Sequence, residues 1–571
     1  MAKGVRRRPF IVFSVIAAAS FVAIVPMFWL GVPSGHDFEF HMNSWMEVSN
    51  QWEQGILYPR WAALANYGYG EPRFIFYPPA SWLLGAALGT VLPWPMVPGV
   101  YIWLVLTAAG CSMFSLARQW LPYKHAVFAA VLYAVNPYHL VIVYWRSAFA
   151  ELMASVWLPL LLLFALRLPG DGAHDSGAGS DPNEHRIART GKIRAMLYLA
   201  LVVAAVWLTN APSAVMVNYS LVLLVTVLAL VRRSPRVLFY GAGSCALGLA
   251  LAAFYVLPAA YEKQWVNIQE VLALGVRPQS NFLFAVIADP EHNRFNLLVS
   301  IMAVLEILVL SVAVLLSRHR RREHPDLWWT LTSWGAATAV LMFPFTFILW
   351  KYLPQLRFIQ LPWRWLLCLN VAFVLLLTMG MRRWLARALV YVAMLVTLAG
   401  VWRWVQPPWW DQSADIREMS DNLDEGRGYE SVREYVPTRG DLEAIKRNAP
   451  QVAAEGQIGK VQIDDWAPES RAFTITASEP SRVVLRLFNY PAWKVRVNGR
   501  AVAADTQART GQMVIPVQAG KNNLEIIFSR TPDRTLGAEI SGVALLAIVV
   551  LLLVAGKKKP DAIPAPAAEG N

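Results

Sequence analysis

The chain has 571 residues, of which 56% are hydrophobic and 16% charged, yet its formal net charge is +13. A nucleic-acid binder of that charge is rich in Lys and Arg at ordinary apolar content, and 25 tryptophans in so apolar a chain argue against one. Apolar runs long enough to cross a bilayer recur through residues 1–405, which reads as a polytopic α-helical membrane protein.

The first run, Phe10 to Val32, follows Arg6-Arg7-Arg8 and is too long for the apolar region of an ordinary signal peptide, so it reads as an uncleaved first helix. Further runs lie at 98–117, 126–144, 150–166, 195–212, 213–231, 237–258, 295–317, 327–350, 364–381, 388–405 and 538–556, for about 12 transmembrane helices. The stretch 80–95 is shorter and broken by Pro93 and Pro95, and is read as not crossing. The N-terminal bases, Arg118/Lys124, Arg186 to Arg194, Arg232/Arg233/Arg236, Arg318 to Arg322, Arg382/Arg383/Arg387 and Lys557 to Lys559 then share one side. With Arg167 that side holds 24 bases, against 9 in the short loops opposite. The positive-inside rule makes the richer side cytoplasmic, with both termini on it. The loop 33–97 and the stretch 406–536 fall outside. Residues 169–194 are rich in Gly, Asp and Ser and read as a disordered cytoplasmic loop. Cys111, Cys245 and Cys368 sit inside apolar runs without metal-ligand spacing, so neither a disulfide framework nor a zinc site is expected.

The stretch 406–536 changes character, with 17 basic and 18 acidic residues and apolar positions that alternate. Residues 460–464, 472–476, 483–488, 493–497, 513–517 and 523–528 read as strands, and Asn498-Gly499 as a two-residue hairpin turn. The expected organisation is a transmembrane domain over 1–405 and an extracytoplasmic domain over 406–536. The latter holds a β-sandwich at about 455–532 after a less regular section at 411–450. The last helix, within 537–571, anchors it and ends in a cytoplasmic tail.

Polar residues gather just past the first span, in Gly35-His36-Asp37-Phe38-Glu39-Phe40-His41. Asp37 falls just outside the hydrocarbon, where partial desolvation raises a carboxyl pKa and suits it as a base. Asp37, Glu39 and His41 share a face if extended, and Asp37 and His41 meet at i, i+4 if helical. On pattern alone the segment also fits a solvated loop start. Arg146 and Glu151 lie on the same outer side, which by itself suits an interfacial anchor. Lys351, Arg357 and Arg364 form an outer cationic loop that fits either a lipid phosphate or ordinary headgroups. Glu306 lies mid-span, where a carboxyl is a functional candidate or a protonated partner of a neighbouring helix. Asp289, Glu291 and His292 are too irregularly spaced for a metal site. No phosphate-binding Gly-rich loop, G-x-S-x-G or H-E-x-x-H is present.

The series GHDFEFH, YPRW, NYGYGEP, FYPP, LYAVNPYHLVIVYWRSAFAE, TNAPSA and LRFIQLPWRW resembles bacterial membrane proteins of the YfhO type. It is closer still to relatives labelled 6-pyruvoyl-tetrahydropterin-synthase-related membrane proteins. FNYPAWKVRVNGRAV and the segment after it look like the external β-domain of those proteins. The likeness spans nearly the whole chain except 169–194; the pterin label itself is unmatched, since the histidine triad of that enzyme is absent. The family is similar to the GT-C glycosyltransferases. That resemblance implies a GT-C-like membrane domain in the bacterial inner membrane. It would move a sugar from a polyprenyl-phosphate donor to an envelope glycan or lipid acceptor, with membrane lipids around it and no nucleic acid as partner. By the same resemblance Asp37 is the catalytic carboxylate, with Glu39 and Glu151 as further acids. Arg60, Tyr77, Arg146, Arg357 and Arg364 become candidates for donor-phosphate or substrate contacts, and His41 and His292 remain further candidates. The superfamily's paired acidic motif here reads Asp37-Phe38-Glu39, which leaves open a divalent cation, Mg2+ or Mn2+, on those two carboxylates. The alternatives are a flippase for lipid-linked glycan intermediates, with Glu306 on its path, and a non-catalytic envelope scaffold.

Overall fold

A computed structural model describes residues 2–170, 182–381, 383–405, 409–456 and 458–556. Expectations for 171–181, Arg382 and Lys557 to Lys559 lie outside the described residues, as do those for the side chains of Arg6 to Arg8, Arg186, Arg189 and Lys192.

The chain is a multi-pass membrane protein, mostly helical, with a C-terminal β-sheet region. Among the described residues nine helices are long and apolar enough to cross a membrane. Two bent pairs, Arg236–Leu251 with Ala253–Trp265 and Pro325–Leu341 with Pro344–Tyr352, raise the number to 11 if each is one span. In the second pair the bend follows from Pro344, which pushes Phe343 to an extended conformation (φ −96°, ψ 149°) and ends the preceding helix. The apolar helix Ile193–Trp207 is shorter. It belongs to Pro182–Trp207, so part of the loop expected at 169–194 is helical, with Pro182 opening the helix where its missing N–H costs nothing.

Phe10, Phe13, Leu385, Leu389, Val396 and Leu546 are exposed along their helices, the surface that a lipid environment covers. Leu366–Gly380 is the opposite case: every residue from Leu366 to Met379 is buried, which puts the residues just before it, Pro362 to Trp365, deep among the other helices. The stretch 80–95 contains the helix Pro79–Gly89. Eleven residues rise only about 16 Å, roughly half the hydrocarbon thickness. This helix packs on Phe38–Glu53, and a Cβ at Gly85 would stand 2.1 Å from the Trp45 ring, so a glycine sets how closely the two helices approach.

The C-terminal strands are β1 (Val452–Ala454), β2 (Ile458–Ala467), β3 (Ser470–Ala477), β4 (Ser481–Phe488), β5 (Trp493–Val497), β6 (Arg500–Val502), β7 (Asp505–Thr506), β8 (Gln512–Val517) and β9 (Gly520–Phe528). They form two antiparallel sheets, ordered β1-β4-β8-β7 and β2-β3-β9-β5-β6. Asn498 (φ 51°) and Gly499 (φ 78°) turn the β5–β6 hairpin, both in the positive-φ region that a two-residue primed turn requires. Phe473, Ile475, Leu485, Leu487, Val495, Ile515 and Ile526, from both sheets, share one apolar cluster with Trp61, Tyr69 and Phe76 of the loop after the first span. The section 411–450 is more ordered than expected: Ser413–Asp424 is a helix, capped where Gln412 N–H donates to Asp415 Oδ2 at 2.7 Å.

Candidate active site

Residues 33–37 leave the first span and lock onto the turn between two later helices. Asp37 N–H donates to Arg146 O at 2.8 Å, Gly35 N–H to Ser147 Oγ at 3.0 Å, and Ser147 Oγ–H to Pro33 O at 2.6 Å. A Cβ at Gly35 would stand 2.2 Å from Trp145 O, so only glycine permits this approach. Arg146 ends a single π-helical turn, Ile142–Arg146, and Ser147 follows in the left-handed region at φ 49°. Such a turn widens the helix by a residue and re-aims the side chains at its end.

Arg146 thereby reaches two carboxylates. Its Nη2 lies 3.5 Å from Asp37 Oδ2, its Nη1 donates to Glu151 Oε2, and its guanidinium stacks 5.0 Å from the Trp363 ring centroid. Arg364 Nε donates to the same Glu151 oxygen at 2.9 Å and its Nη1 to Ile359 O at 2.7 Å; Tyr138 O–H donates to Glu151 Oε1. The charges alternate as Asp37, Arg146, Glu151, Arg364. The side chain of Glu151 is 1% exposed and saturated by three donors, whereas that of Asp37 is 30% exposed. Glu151 therefore positions arginines, and Asp37 is the end of the array that a substrate can meet.

The expected raising of the Asp37 pKa is wrong in sign. Burial alone would raise it, but the His36 hydrogen bond and the Arg146 charge together hold its carboxyl well below the usual carboxylate range. His36 Nδ1 lies 2.8 Å from Asp37 Oδ1, and that bond with the Asp37 charge raises the imidazole above its ordinary value. Asp37 Oδ1 and Oδ2 are thus taken by His36 and Arg146. Among the described residues no three His, Cys, Asp or Glu side chains are placed to hold a metal ion. The donor set at Asp37 and Glu39 does not fit a divalent cation.

His41 is 1% exposed and rings surround it, with centroids of Phe149 at 5.1 Å and of Trp45 and Tyr77 at 5.9 Å. Burial pushes its pKa down to about 4, so it is neutral at pH 7. Tyr77 lies near enough that the Asp37 charge adds to burial in raising its phenol well above 10. Glu39 lines an open cavity of about 650 Å³ with Ser34, Gly35, His36, Trp409, Trp410 and Asp411. A short antiparallel pairing closes its back, Val32 opposite Asp411 and Pro33 opposite Trp410, with Ser34 N–H donating to Trp409 O at 3.1 Å.

Three of the residues named from sequence stand elsewhere. Arg60 pairs with Glu469 in the β2–β3 turn, at 3.4 Å. Arg357 is exposed over the ring of Phe358, with no ion pair among the described residues. His292 Nε2 lies 3.0 Å from Ser280 O, and Asp289 caps the helix Pro290–Ser317 through the N–H groups of Glu291 and His292, so that acidic cluster is a helix start.

The pairing of His36 with Asp37 has no sequence signal, because strand and helix periodicity place i+2 and i+4 partners and not the chain neighbour. A second buried network is silent in the sequence as well. Glu71, fully buried, pairs with Arg73 at 2.8 Å and accepts from Ser431 Oγ at 2.9 Å, while Tyr429 O–H donates to Glu47 at 2.6 Å. It ties the loop after the first span to residues 429–431 and brings up Glu434, whose carboxyl burial and the Glu71 and Asp37 charges push up to about 7. Glu71 and Arg73 are only two positions apart, but their network partners Ser431 and Tyr429 are distant in sequence and carry no local signal. No family model matches the chain, and no curated protein matches it.

Proposed function

We propose that the chain is a membrane glycosyltransferase that moves a sugar from a polyprenyl-phosphate donor to a cell-envelope acceptor at the outer face of a bacterial inner membrane. The observation that carries the reading is Asp37 itself. It is a carboxylate kept ionised and partly exposed at the end of a buried charge array, beside an open cavity and next to membrane-crossing helices. An inverting transfer needs a general base at the acceptor hydroxyl, which a carboxylate supplies or orients, and cations by the departing phosphate. Arg146 and Arg364 lie within the same array and are the cations nearest to Asp37 that could meet the departing phosphate. The distribution of basic residues supports cytoplasmic termini and an external Asp37, where nucleotide sugars are absent and a lipid-linked donor fits. The two C-terminal sheets read as a β-sandwich on that outer side, anchored by Pro532–Gly556.

Asp37→Asn removes envelope-sugar incorporation while the protein still accumulates in the membrane; unchanged incorporation would sink the proposal. The flippase reading leans on Glu306, buried on Pro290–Ser317 against the helix Leu366–Gly380. Under that reading Glu306→Gln abolishes lipid translocation in proteoliposomes and Asp37→Asn does not.

A further inference from the structure

We infer that His36 is the group that takes the proton from the acceptor hydroxyl, that Asp37 holds its imidazole for this task, and that the acceptor sits in the cavity between residues 34–39 and 409–411. The inference rests on the transferase reading and deepens it.

With Nδ1 bonded to Asp37 Oδ1 at 2.8 Å, the neutral imidazole carries its hydrogen on Nδ1 and leaves the Nε2 lone pair free on a ring that is 77% exposed and lines the cavity. Asp37 is the poorer proton acceptor, since both its oxygens are engaged and an arginine stands over one of them. The carboxyl pKa lies well below the usual range while that of the imidazole is raised, and a general base works best when its pKa lies near the working pH. The backbone anchors of 33–37 on 145–147 hold the pair in place before any substrate arrives.

The cavity's lining narrows the acceptor class. Trp409 and Trp410 give the cavity an aromatic lining of the kind that suits the C–H side of a sugar ring, Glu39 and Asp411 can accept hydrogen bonds from hydroxyls, and neither Lys nor Arg is among the lining residues. A hydroxyl-rich acceptor that is neutral or cationic fits, and an anionic one is repelled. The charges that bear on His36 are Asp37, Arg146 and Arg364, and Glu39 on the same segment and Asp411 opposite also line the cavity.

In the step itself the acceptor O–H gives its proton to His36 Nε2 as its oxygen bonds to the anomeric carbon. The bond from that carbon to the phosphate oxygen breaks, and its electron pair leaves with the polyprenyl phosphate. The imidazolium, stabilised by Asp37, then releases its proton to water.

The test complements a deletion strain with the wild-type chain, His36→Ala, His36→Gln or Asp37→Asn at matched membrane levels and measures the rate of envelope-sugar incorporation. Loss of the general base lowers the rate by about 100-fold or more, and external imidazole restores part of it to His36→Ala but none to Asp37→Asn. Full incorporation by the His36 variants, with loss in Asp37→Asn, overturns the base assignment and leaves the transferase reading standing. Unchanged envelope sugars in the deletion strain overturn the transferase reading itself. Diethyl pyrocarbonate, which acylates an imidazole only in its neutral form, gives a second readout on the purified full-length chain, followed at the His36 peptide by mass spectrometry across pH 5.5 to 8.5. In the wild type His36 reaches half-modification at a higher pH than in Asp37→Asn, and identical profiles overturn the pairing.

Discussion

Glu151 and Arg364 meet at 2.9 Å across 213 positions of chain, and both are buried. The contact joins the start of the helix Phe149–Ala154 to the entry of the central helix Leu366–Gly380, and the same Glu151 oxygen receives Arg146, which in turn faces Asp37. One carboxylate therefore sets the position of both arginines.

Removing the charge of Glu151 leaves two buried cations facing each other without their common partner. Glu151→Gln is expected to cost about 3–5 kcal/mol of stability, read as a lower thermal midpoint in detergent, and to weaken incorporation as Arg146 drifts from Asp37. Because the residues share one network, Glu151→Gln combined with Arg364→Gln costs clearly less than the sum of the single changes. Additive losses would mean that the two side chains act separately.

Gly35 separates site geometry from stability. Its added methyl group would meet Trp145 O at 2.2 Å, so Gly35→Ala has to lift the loop that carries His36 and Asp37 from residues 145–147. A displacement of about 1 Å at a reacting group can cost roughly 100-fold in rate. Gly35→Ala is expected to lower incorporation by that order while the thermal midpoint moves little, since the segment is short and at the surface. Comparable losses of both would place the residue among the structural ones.

His41 gives the pH dependence a sign. The unfolded chain takes up this proton as the pH falls through about 6.5, whereas the folded imidazole refuses it until about 4. Stability is therefore complete above the upper value and is lost as the pH falls through that window, by roughly 3 kcal/mol at its lower end. His41→Phe, which suits the surrounding rings of Trp45, Tyr77 and Phe149, removes this share of the acid sensitivity. Thermal midpoints of the two proteins compared from pH 7 to 4.5 check it: the gap between them changes with acidification, and parallel curves would refute the burial argument.

Much of this was legible in the sequence wherever the signal is local and periodic. The six strands expected between 460 and 528 all lie within observed strands, because alternation of apolar and polar residues maps directly onto the two faces of a sheet. Pro93 and Pro95 marked the stretch that holds only a short helix. Asp37, Arg146, Glu151 and Arg364 could be named as outer-side charges, and they do assemble. What periodicity leaves open is which charge meets which. The pairing of Arg60 with Glu469, of Glu71 with Arg73 and Ser431, and of His36 with Asp37 depends on how distant segments approach, or on one rotamer in an irregular loop. The sign of the Asp37 shift follows the same division, since burial can be anticipated from its place beside the span and the two opposing donors cannot.

Glu262 and Arg534 decide how firmly the sheet region is held to the membrane helices. Glu262, fully buried at the end of Ala253–Glu262, accepts from Arg534 Nε at 2.6 Å and Nη2 at 2.8 Å, and also from Tyr490 O–H and from Thr531 Oγ–H at 3.3 Å. The pair links a helix, the start of Pro532–Gly556 and the segment between β4 and β5, so breaking it strands a buried carboxylate at that junction. Arg534→Ala is expected to cost about 3–5 kcal/mol and to open residues 529–535 to trypsin at Arg530. Arg534→Lys recovers only part of the loss, because a single ammonium cannot meet both carboxylate oxygens as the planar guanidinium does. A thermal midpoint and a cleavage pattern unchanged by Arg534→Ala would instead assign the docking to the apolar cluster around Trp61, Tyr490 and Phe528 alone.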